Sequence, residues 1–481
     1  MNKPDERTFF GHPIQLSTLF HVELWERFSF YGMQGILLIY LYYATTDGGL
    51  GIDQALAGGI VGAYGGSVYL ATILGGWLAD RVLGAERTLF YSGVVVMLGH
   101  VALAILPGVF GLSVGLILIA LGSGGVKASA SSMVGALYEE EHLKPLRDAG
   151  FSIFYISINV GGFFGPLLTG VFQVQFGFHA GFGLAAIGMA YGLWRYTRGR
   201  WLLPDTPVPN PLSRQEMQRA LVIGAAAVAA IIGALALGLL NAQNYSTVLL
   251  CINVAFILCY FTMLLAGRGF TPEERAHVIA YVPLFIAAVV FWMLWLQVFT
   301  SVTVYFDKIV NRVYGDFTVP VSWSASLQSG WVILFSGIMA ALWTQLGPRQ
   351  PRTPMKFSLA ILVLAAGYYC FVPYLQSNTP MPMVVFALVI LIITIAELLN
   401  SPIGLSFVTK IAPARFKTQM VALHFLSLSL GFTLGGEIFA RYYTDDTAAN
   451  FYWLLTCIGV GAGVVLLALV PVLNRMLKGV D

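Results

Sequence analysis

Charge is what this 481-residue sequence has least of: Asp, Glu, Lys and Arg together make up 10% of it. Soluble proteins carry about 25%. With 58% hydrophobic residues and a mean hydropathy of +0.78, so uncharged a chain cannot keep a surface in water. A soluble multidomain enzyme is therefore excluded. The net charge is only +3, and no basic stripe appears outside short segments, so no nucleic-acid partner is expected. Cysteine is scarce as well. Cys251, Cys259, Cys370 and Cys457 each sit inside an apolar run, without metal-ligand spacing or a disulfide framework. The sequence has no HExxH motif and no plausible Ser-His-Asp set. Neither a metal, a cofactor nor enzymatic chemistry is expected. The N-terminal MNKPDERTFFGHP is charged and lacks a cleavable signal pattern, so the first apolar run is expected to be a retained span.

Long apolar runs are what the sequence does have. A membrane helix needs about 20 mostly apolar residues. Fourteen such runs are expected, over roughly residues 16–44, 54–80, 88–107, 112–138, 149–176, 180–197, 217–240, 247–266, 276–306, 324–346, 355–375, 382–410, 416–442 and 450–474. Alternating them from an inner N-terminus leaves Lys308, Arg312 and Arg441 outside and Arg27 and Lys127 within spans. The other 21 of the 26 Lys and Arg fall inside. That asymmetry is the positive-inside rule, and it places both termini in the cytoplasm.

The longest inner segment, Arg195 to Arg219, contains WLLPDTPVPNP, whose prolines favour a stiff, non-helical linker. The two runs after it carry no intramembrane charge and read as an inserted hairpin. GGWLADRVLGAER has a weak echo in LWTQLGPRQPRTPMK, which hints at two related halves. The expected organisation is a six-helix half over 1–200, a linker and hairpin over 201–270, and a second six-helix half over 271–481.

Few ionisable residues remain inside the spans: Glu23, Glu26, Arg27, Lys127, Glu397 and Glu437, with His21, His100 and His424. Each is costly in lipid and survives only facing protein or water, which makes it a functional candidate. In HVELWERFSFYGMQ, Glu23, Arg27 and Tyr31 follow at i, i+4 and i+8, so they share one helix face, with Glu26 beside them. This is either a structural ion pair or a proton-binding site coupled to an anion-binding guanidinium. Two carboxylates beside one guanidinium cannot both be compensated in low dielectric, so one is expected to take up a proton. At ~1.5 Å per residue, Arg27, Lys127, Asn159 and Tyr69 lie about 15–16 Å from the inner face and Glu397 about 20 Å. Polar groups from five spans thus share one level, the layout of a secondary transporter with a midplane site. The first half offers cations and the second an anion, a pairing that suits a zwitterion.

These residues resemble the proton-dependent oligopeptide transporter family of the major facilitator superfamily, over nearly the whole chain. Glu23-Leu-Trp-Glu26-Arg27-Phe28 matches the family's ExxERF motif. GGWLADRVLGAERT (75–88) and FSIFYISINVGGF (151–163) match its two signatures, and ELLNSPIGLSFVTKIAP (397–413) its tenth-helix motif. The resemblance implies an all-α membrane protein with two six-helix halves and a two-helix central insertion, fourteen transmembrane helices in all. It implies Arg27, Lys127 and Tyr31 on the peptide carboxylate, and Asn159 and Glu397 on the peptide amino terminus. Glu23 and Glu26 would couple protons, with Arg27, Lys127 and Glu397 taking part. Tyr69 would line the peptide site, and Asp80, Arg81 and Arg87 would form a cytoplasmic gating loop. Trp292, Tyr69 and Phe163 are candidate pocket walls or packing residues.

The sequence also departs from the family. Gln34 stands where an arginine is usual, and Leu296 where a glutamate precedes the glutamine of FWxxxEQ. Those two positions form an outer salt bridge in the family, and here both partners are missing. Losing both ions can be neutral where losing one is not. Closure of the outer gate by polar or apolar packing is expected, with Asp307, Lys308, Arg312 or Asp316 nearby. Gln328 replaces an asparagine, keeping the amide on a longer arm. His424 replaces a tryptophan, as a cavity liner or a substitute proton site. The expected activity is proton-coupled import of di- and tripeptides by alternating access, in a monomer of the bacterial inner membrane whose other partners are protons and membrane lipid. A same-fold carrier of another small anion or metabolite, or a transporter-fold peptide sensor, is the alternative.

Overall fold

The structure, a computed structural model, describes residues 8–204, 206–266, 271–413 and 416–477. Lys3, Arg7, Arg268, Arg415 and Lys478, counted above as inner charges, lie outside the described residues. The chain is helical almost throughout: α1 Gln15–Tyr42, α2 Gln54–Leu78, α3 Ala85–Ile105, α4 Gly108–Ala136, α5 Arg147–Phe176, α6 Phe178–Gly199, α7 Arg214–Ala236, α8 Tyr245–Ala266, α9 Pro272–Trp295, α10 Ser301–Lys308, α11 Trp323–Leu346, α12 Thr353–Tyr369, α13 Val372–Ser377, α14 Met383–Ile411, α15 Lys417–Tyr442 and α16 Ala448–Met476. The α9–α10 and α12–α13 pairs each form one interrupted span. The fourteen expected spans therefore recur within a few residues of their expected bounds. Among the described residues, twelve are apolar and long enough to cross a membrane by composition. α1 and α6 are long enough but too polar to be counted on that basis; α1 carries the charged cluster. The fold is that of an all-α membrane protein.

Local signals account for the helix ends. Ser213 and Glu216 form a reciprocal capping box at the start of α7, and Thr271 and Glu274 do so for α9, which also has Pro272 in its first turn. Each box satisfies two backbone amides that a helix start would otherwise leave unpaired. A π-turn, Ala79–Leu83, ends α2. Gly84 then takes φ +79° to enter α3, a conformation that favours glycine.

Packing divides the chain into two compact units, Met1–Gly51 with Ser67–Val248, and Ile52–Gly66 with Leu249–Asp481. The first unit centres on Leu16, Val22, Leu89, Val126, Met133, Phe154, Met189 and Tyr196, all buried. At its inner end, the expected linker is non-helical from Leu203 to Ser213 except that Asp205 is not described. It straps onto the α2–α3 turn: the Asn210 and Leu212 amides donate to the carbonyls of Asp80 and Arg81 at 3.0 and 3.2 Å. The Glu86 amide donates to Thr206 Oγ1 at 3.1 Å. Glu86 also pairs with Arg200 at 2.9 Å and accepts from Tyr196 at 3.1 Å.

The second unit is built on an aromatic cluster, with Tyr305 against Phe371 and Phe371 against Tyr452. Here the N-terminal half of α2 packs on α15 through small residues. A Cβ at Gly62 would lie 2.5 Å from the Gly436 Cα, so only glycine allows these backbones to come so close. Ser429 Oγ donates to the Gly66 carbonyl at 2.7 Å.

The interruption between α9 and α10 is a short 3-10 turn, Leu296–Phe299. It is held by the buried amide of Gln297, which donates to the Gly435 carbonyl at 3.0 Å and accepts from Thr300 Oγ1 at 2.8 Å. Replacing Gln297 with Leu strands both partners in a dry site, which costs about 1–3 kcal/mol. A lowered melting temperature of the detergent-purified Gln297→Leu protein is the expected outcome; an unchanged one would contradict this role.

Candidate functional site

In the first unit, α1 builds the charged face that its spacing predicts. Arg27 Nε lies 2.8 Å from Glu23 Oε1 and 2.9 Å from Glu26 Oε2, and all three side chains are buried. Ser123 Oγ on α4 donates to Glu26 Oε1 at 2.9 Å. Glu23 Oε2 and Glu26 Oε2 have no hydrogen bond of their own. One guanidinium is therefore shared by two buried carboxylates, with acceptor capacity left over for a proton.

The helix-five signature supplies the seat for this cluster. A Cβ at Gly161 would come within 2.9 Å of the Arg27 Cβ and 2.8 Å of the Phe28 amide nitrogen. Thr169 Oγ1 donates to the Gly32 carbonyl at 2.9 Å. Gly161 of FSIFYISINVGGF is thus explained by how closely α5 lies against α1.

Lys127 stands apart from the carboxylates. Its ammonium lies 5.0 Å from the centre of the Phe30 ring and 5.8 Å from that of Tyr69. Among the described residues it makes no direct ion pair, although Glu26 and Glu23 lie near enough to attract it. Cation–π contacts stabilise such an ammonium by a few tenths to about 2 kcal/mol, less than a full ion pair in a dry site. The small residues before Lys127 seat its helix: a Cβ at Gly75 of α2 would lie 2.6 Å from the Gly125 Cα. Tyr31 is half-buried beside this cluster. Asn159 is half-buried too, and its amide turns back on its own helix to donate to the Tyr155 carbonyl at 3.1 Å. Phe163 packs edge-on against the exposed Phe164.

In the second unit the key group is Glu397 on α14. Trp295 Nε1 donates to its Oε2 at 3.2 Å, and Gln328 Nε2 donates to the same oxygen. Both donors are neutral. No cation pairs with Glu397 among the described residues. The carboxylate is held in place without being neutralised. Trp292 is buried, with its ring 5.5 Å from Trp295 and 6.2 Å from Phe432. His424 is half-buried and packs on α14 at Gly404, where an added Cβ would lie 3.0 Å from its Cε1.

The positions expected at the gates fall out differently. Leu296 is fully buried, packed on α15 beside Gly435, and Gln34 is buried with its Oε1 unpartnered. Asp307 pairs with Arg312 at 2.6 Å. Lys308 pairs with Asp445 at 2.6 Å and donates to Gln54 Oε1 at 2.8 Å. Asp316 sits in the turn between strands β1 (Val313–Tyr314) and β2 (Phe317–Thr318). At the inner end, Arg81 reaches Glu216 at 3.3 Å. The Asp80 and Arg87 side chains are exposed, with no ion-pair partner among the described residues.

Comparison with known proteins gives the same answer from three directions. The sequence signature of the POT family matches residues 86–454. The chain belongs to the POT family. Among POT-like relatives, a di-/tripeptide transporter of Lactococcus lactis subsp. cremoris is 38% identical, covering 98% of both chains. An uncharacterized transporter, YclF, of Bacillus subtilis (strain 168) is 39% identical, covering 99% of this chain and 97% of the relative. A crystal structure of a peptide transporter POT in complex with sulfate is 38% identical, with 98% of each chain covered and a TM-score of 0.93.

Three residues that contact the candidate site groups were not read from the sequence as doing so: Ser123, Trp295 and Phe30. Trp295 left a signal. An indole N–H in an apolar span needs an acceptor, and Glu397 was an intramembrane carboxylate without a stated partner.

Breaking the shared ion cluster tests its balance. Arg27→Leu leaves two buried carboxylates without a cation, a loss of about 3–5 kcal/mol. The triple variant Glu23→Gln, Glu26→Gln, Arg27→Leu removes the charges together. It is expected to melt at a higher temperature than Arg27→Leu alone.

Proposed function

We propose that this POT-family chain is a proton-coupled symporter that imports di- and tripeptides by alternating access. The observation that carries the reading is a pair of charges without direct ion pairs among the described residues: Lys127 on aromatic faces in one unit, and Glu397 on neutral donors in the other. A peptide zwitterion offers each what it lacks. Lys127, Arg27 and Tyr31 take the carboxylate, and Glu397, oriented by Trp295 and Gln328, takes the amino terminus. Asn159 joins it by releasing its bond to the Tyr155 carbonyl. Tyr69 and Trp292 form walls. Recognition of two termini leaves side-chain selectivity loose.

Coupling follows from the shared guanidinium. A proton on Glu23 or Glu26 loosens the hold on Arg27, which then binds the peptide carboxylate. Proton and peptide favour the same state, as coupling requires. One proton crossing about 100 mV supplies about 2.3 kcal/mol, and one pH unit adds about 1.4. Their sum supports accumulation of a neutral zwitterion by several hundredfold.

The working halves are 1–200 and 271–481, with 201–270 as linker and hairpin. The protein works as a monomer in the bacterial plasma membrane with both termini in the cytoplasm. Outer closure rests on the Gln54–Lys308–Asp445 network and the Gly62–Gly436 seam, in place of a salt bridge between positions 34 and 296. At the inner side, Asp80, Arg81 and Arg87 form the gating loop that the linker braces.

Reconstituted vesicles test the function. Labelled dialanine should accumulate when a proton gradient is applied, and the absence of gradient-driven uptake of any di- or tripeptide would overturn the substrate reading. Glu23→Gln should abolish accumulation while sparing exchange. Gly62→Leu forces a side chain into the seam with α15 and should lower uptake at least tenfold without loss of folded protein; full uptake would reject the seam as a gate.

A further inference from the structure

A second feature of the first unit lies away from the Lys127 level. A cavity of about 670 Å³ opens where the inner ends of α4 and α5 meet, lined by Ser131, Ser132, Tyr138, Glu139, Arg147 and Phe151 among others. That volume lies within the range of small-ligand sites, about 300–1,000 Å³. Its charges are of both signs, and the two of interest are unspent. Glu140 lies 3.5 Å from His142, and Glu141 pairs with Lys144 at 2.5 Å. Glu139 and Arg147 have no ion-pair partner among the described residues. The Arg147 guanidinium lies 5.8 Å from the centre of the Phe151 ring. The end of α4 is fixed by Tyr138, whose hydroxyl bonds His12 Nδ1 at 2.8 Å.

Helix periodicity connects this cavity to the Lys127 site. Lys127, Ser131 and Gly135 follow at i, i+4 and i+8 on α4, and Asn159, Tyr155, Phe151 and Arg147 follow at intervals of four on α5. Each set shares one helix face. Along α4 the lining begins at Ser131, about 6 Å from Lys127, and along α5 it runs from Phe151 to Arg147, about 12–18 Å from Asn159. An extended dipeptide is only about 7 Å long, so one molecule held at Asn159 does not reach Arg147.

We propose that this cavity is a second, weaker peptide-binding station on the inner side, used as cargo leaves. Arg147 holds the peptide carboxylate, Glu139 the amino terminus, and Phe151 and Tyr138 the intervening chain. The station rests on the peptide reading given above. It extends that reading by making affinity for cargo differ between the two faces of the membrane.

Sided transport distinguishes the station from the midplane site. Labelled dialanine uptake is measured with the full-length protein in right-side-out and in inside-out vesicles. With Arg147→Gln or Glu139→Gln, the KM from the inner face should rise about fivefold, the scale of one lost half-exposed charged contact. The KM from the outer face should stay within twofold. An unchanged inner KM in both variants overturns the station while leaving peptide transport intact. Equal rises at both faces also overturn it, because they indicate a general structural effect. If the unaltered protein moves no peptide from either face, the peptide reading itself fails and the station falls with it.

Discussion

The structure depends on how lipid treats charge. An ionised group in the membrane must be paired, hydrated or given up, and this chain meets that demand in three ways. Arg27 is over-supplied, with two carboxylates for one guanidinium. Lys127 is left on aromatic faces. Glu397 is steadied by an indole and an amide that carry no charge. None of these arrangements is the most stable one available to the chain. Each leaves a deficit of the kind that a mobile ion or a zwitterion fills in the function proposed above.

The missing outer salt bridge obeys the same logic in reverse. An ion without its partner would be expensive in a dry gate, but two absent ions leave nothing to compensate. Leu296 fills its place as an apolar side chain, and Gln34 keeps a polar one. The closure proposed above uses backbone proximity along Gly62 and Gly436 and a half-exposed network around Lys308, neither of which requires an ion in the membrane core.

Much of this was legible in the sequence. Helix number and span bounds followed from apolar length, and the Glu23–Glu26–Arg27 face followed from the 3.6-residue period. Other features were not legible, for definite reasons. The 3-10 break at Leu296–Phe299 depends on Gln297 meeting a carbonyl more than a hundred residues away. Trp295 and Gln328 converge on Glu397 only because three helices fold together. Gln54 and Asp445 meet at Lys308 although they lie hundreds of residues apart in sequence. Periodicity reports which residues share a face, but not which distant element that face meets.

The linker strap has a further consequence. Its bonds to the α2–α3 turn come from the amides of Asn210 and Leu212, while Pro207, Pro209 and Pro211 occupy the alternate positions. An extended segment presents successive amides to opposite sides, and proline has none to present. Three of the six positions from 207 to 212 therefore have no amide to offer, and two of the others are spent on the turn, which makes the linker a poor template for another chain. A segment that would otherwise be an open invitation to sheet-like self-association is thereby blunted.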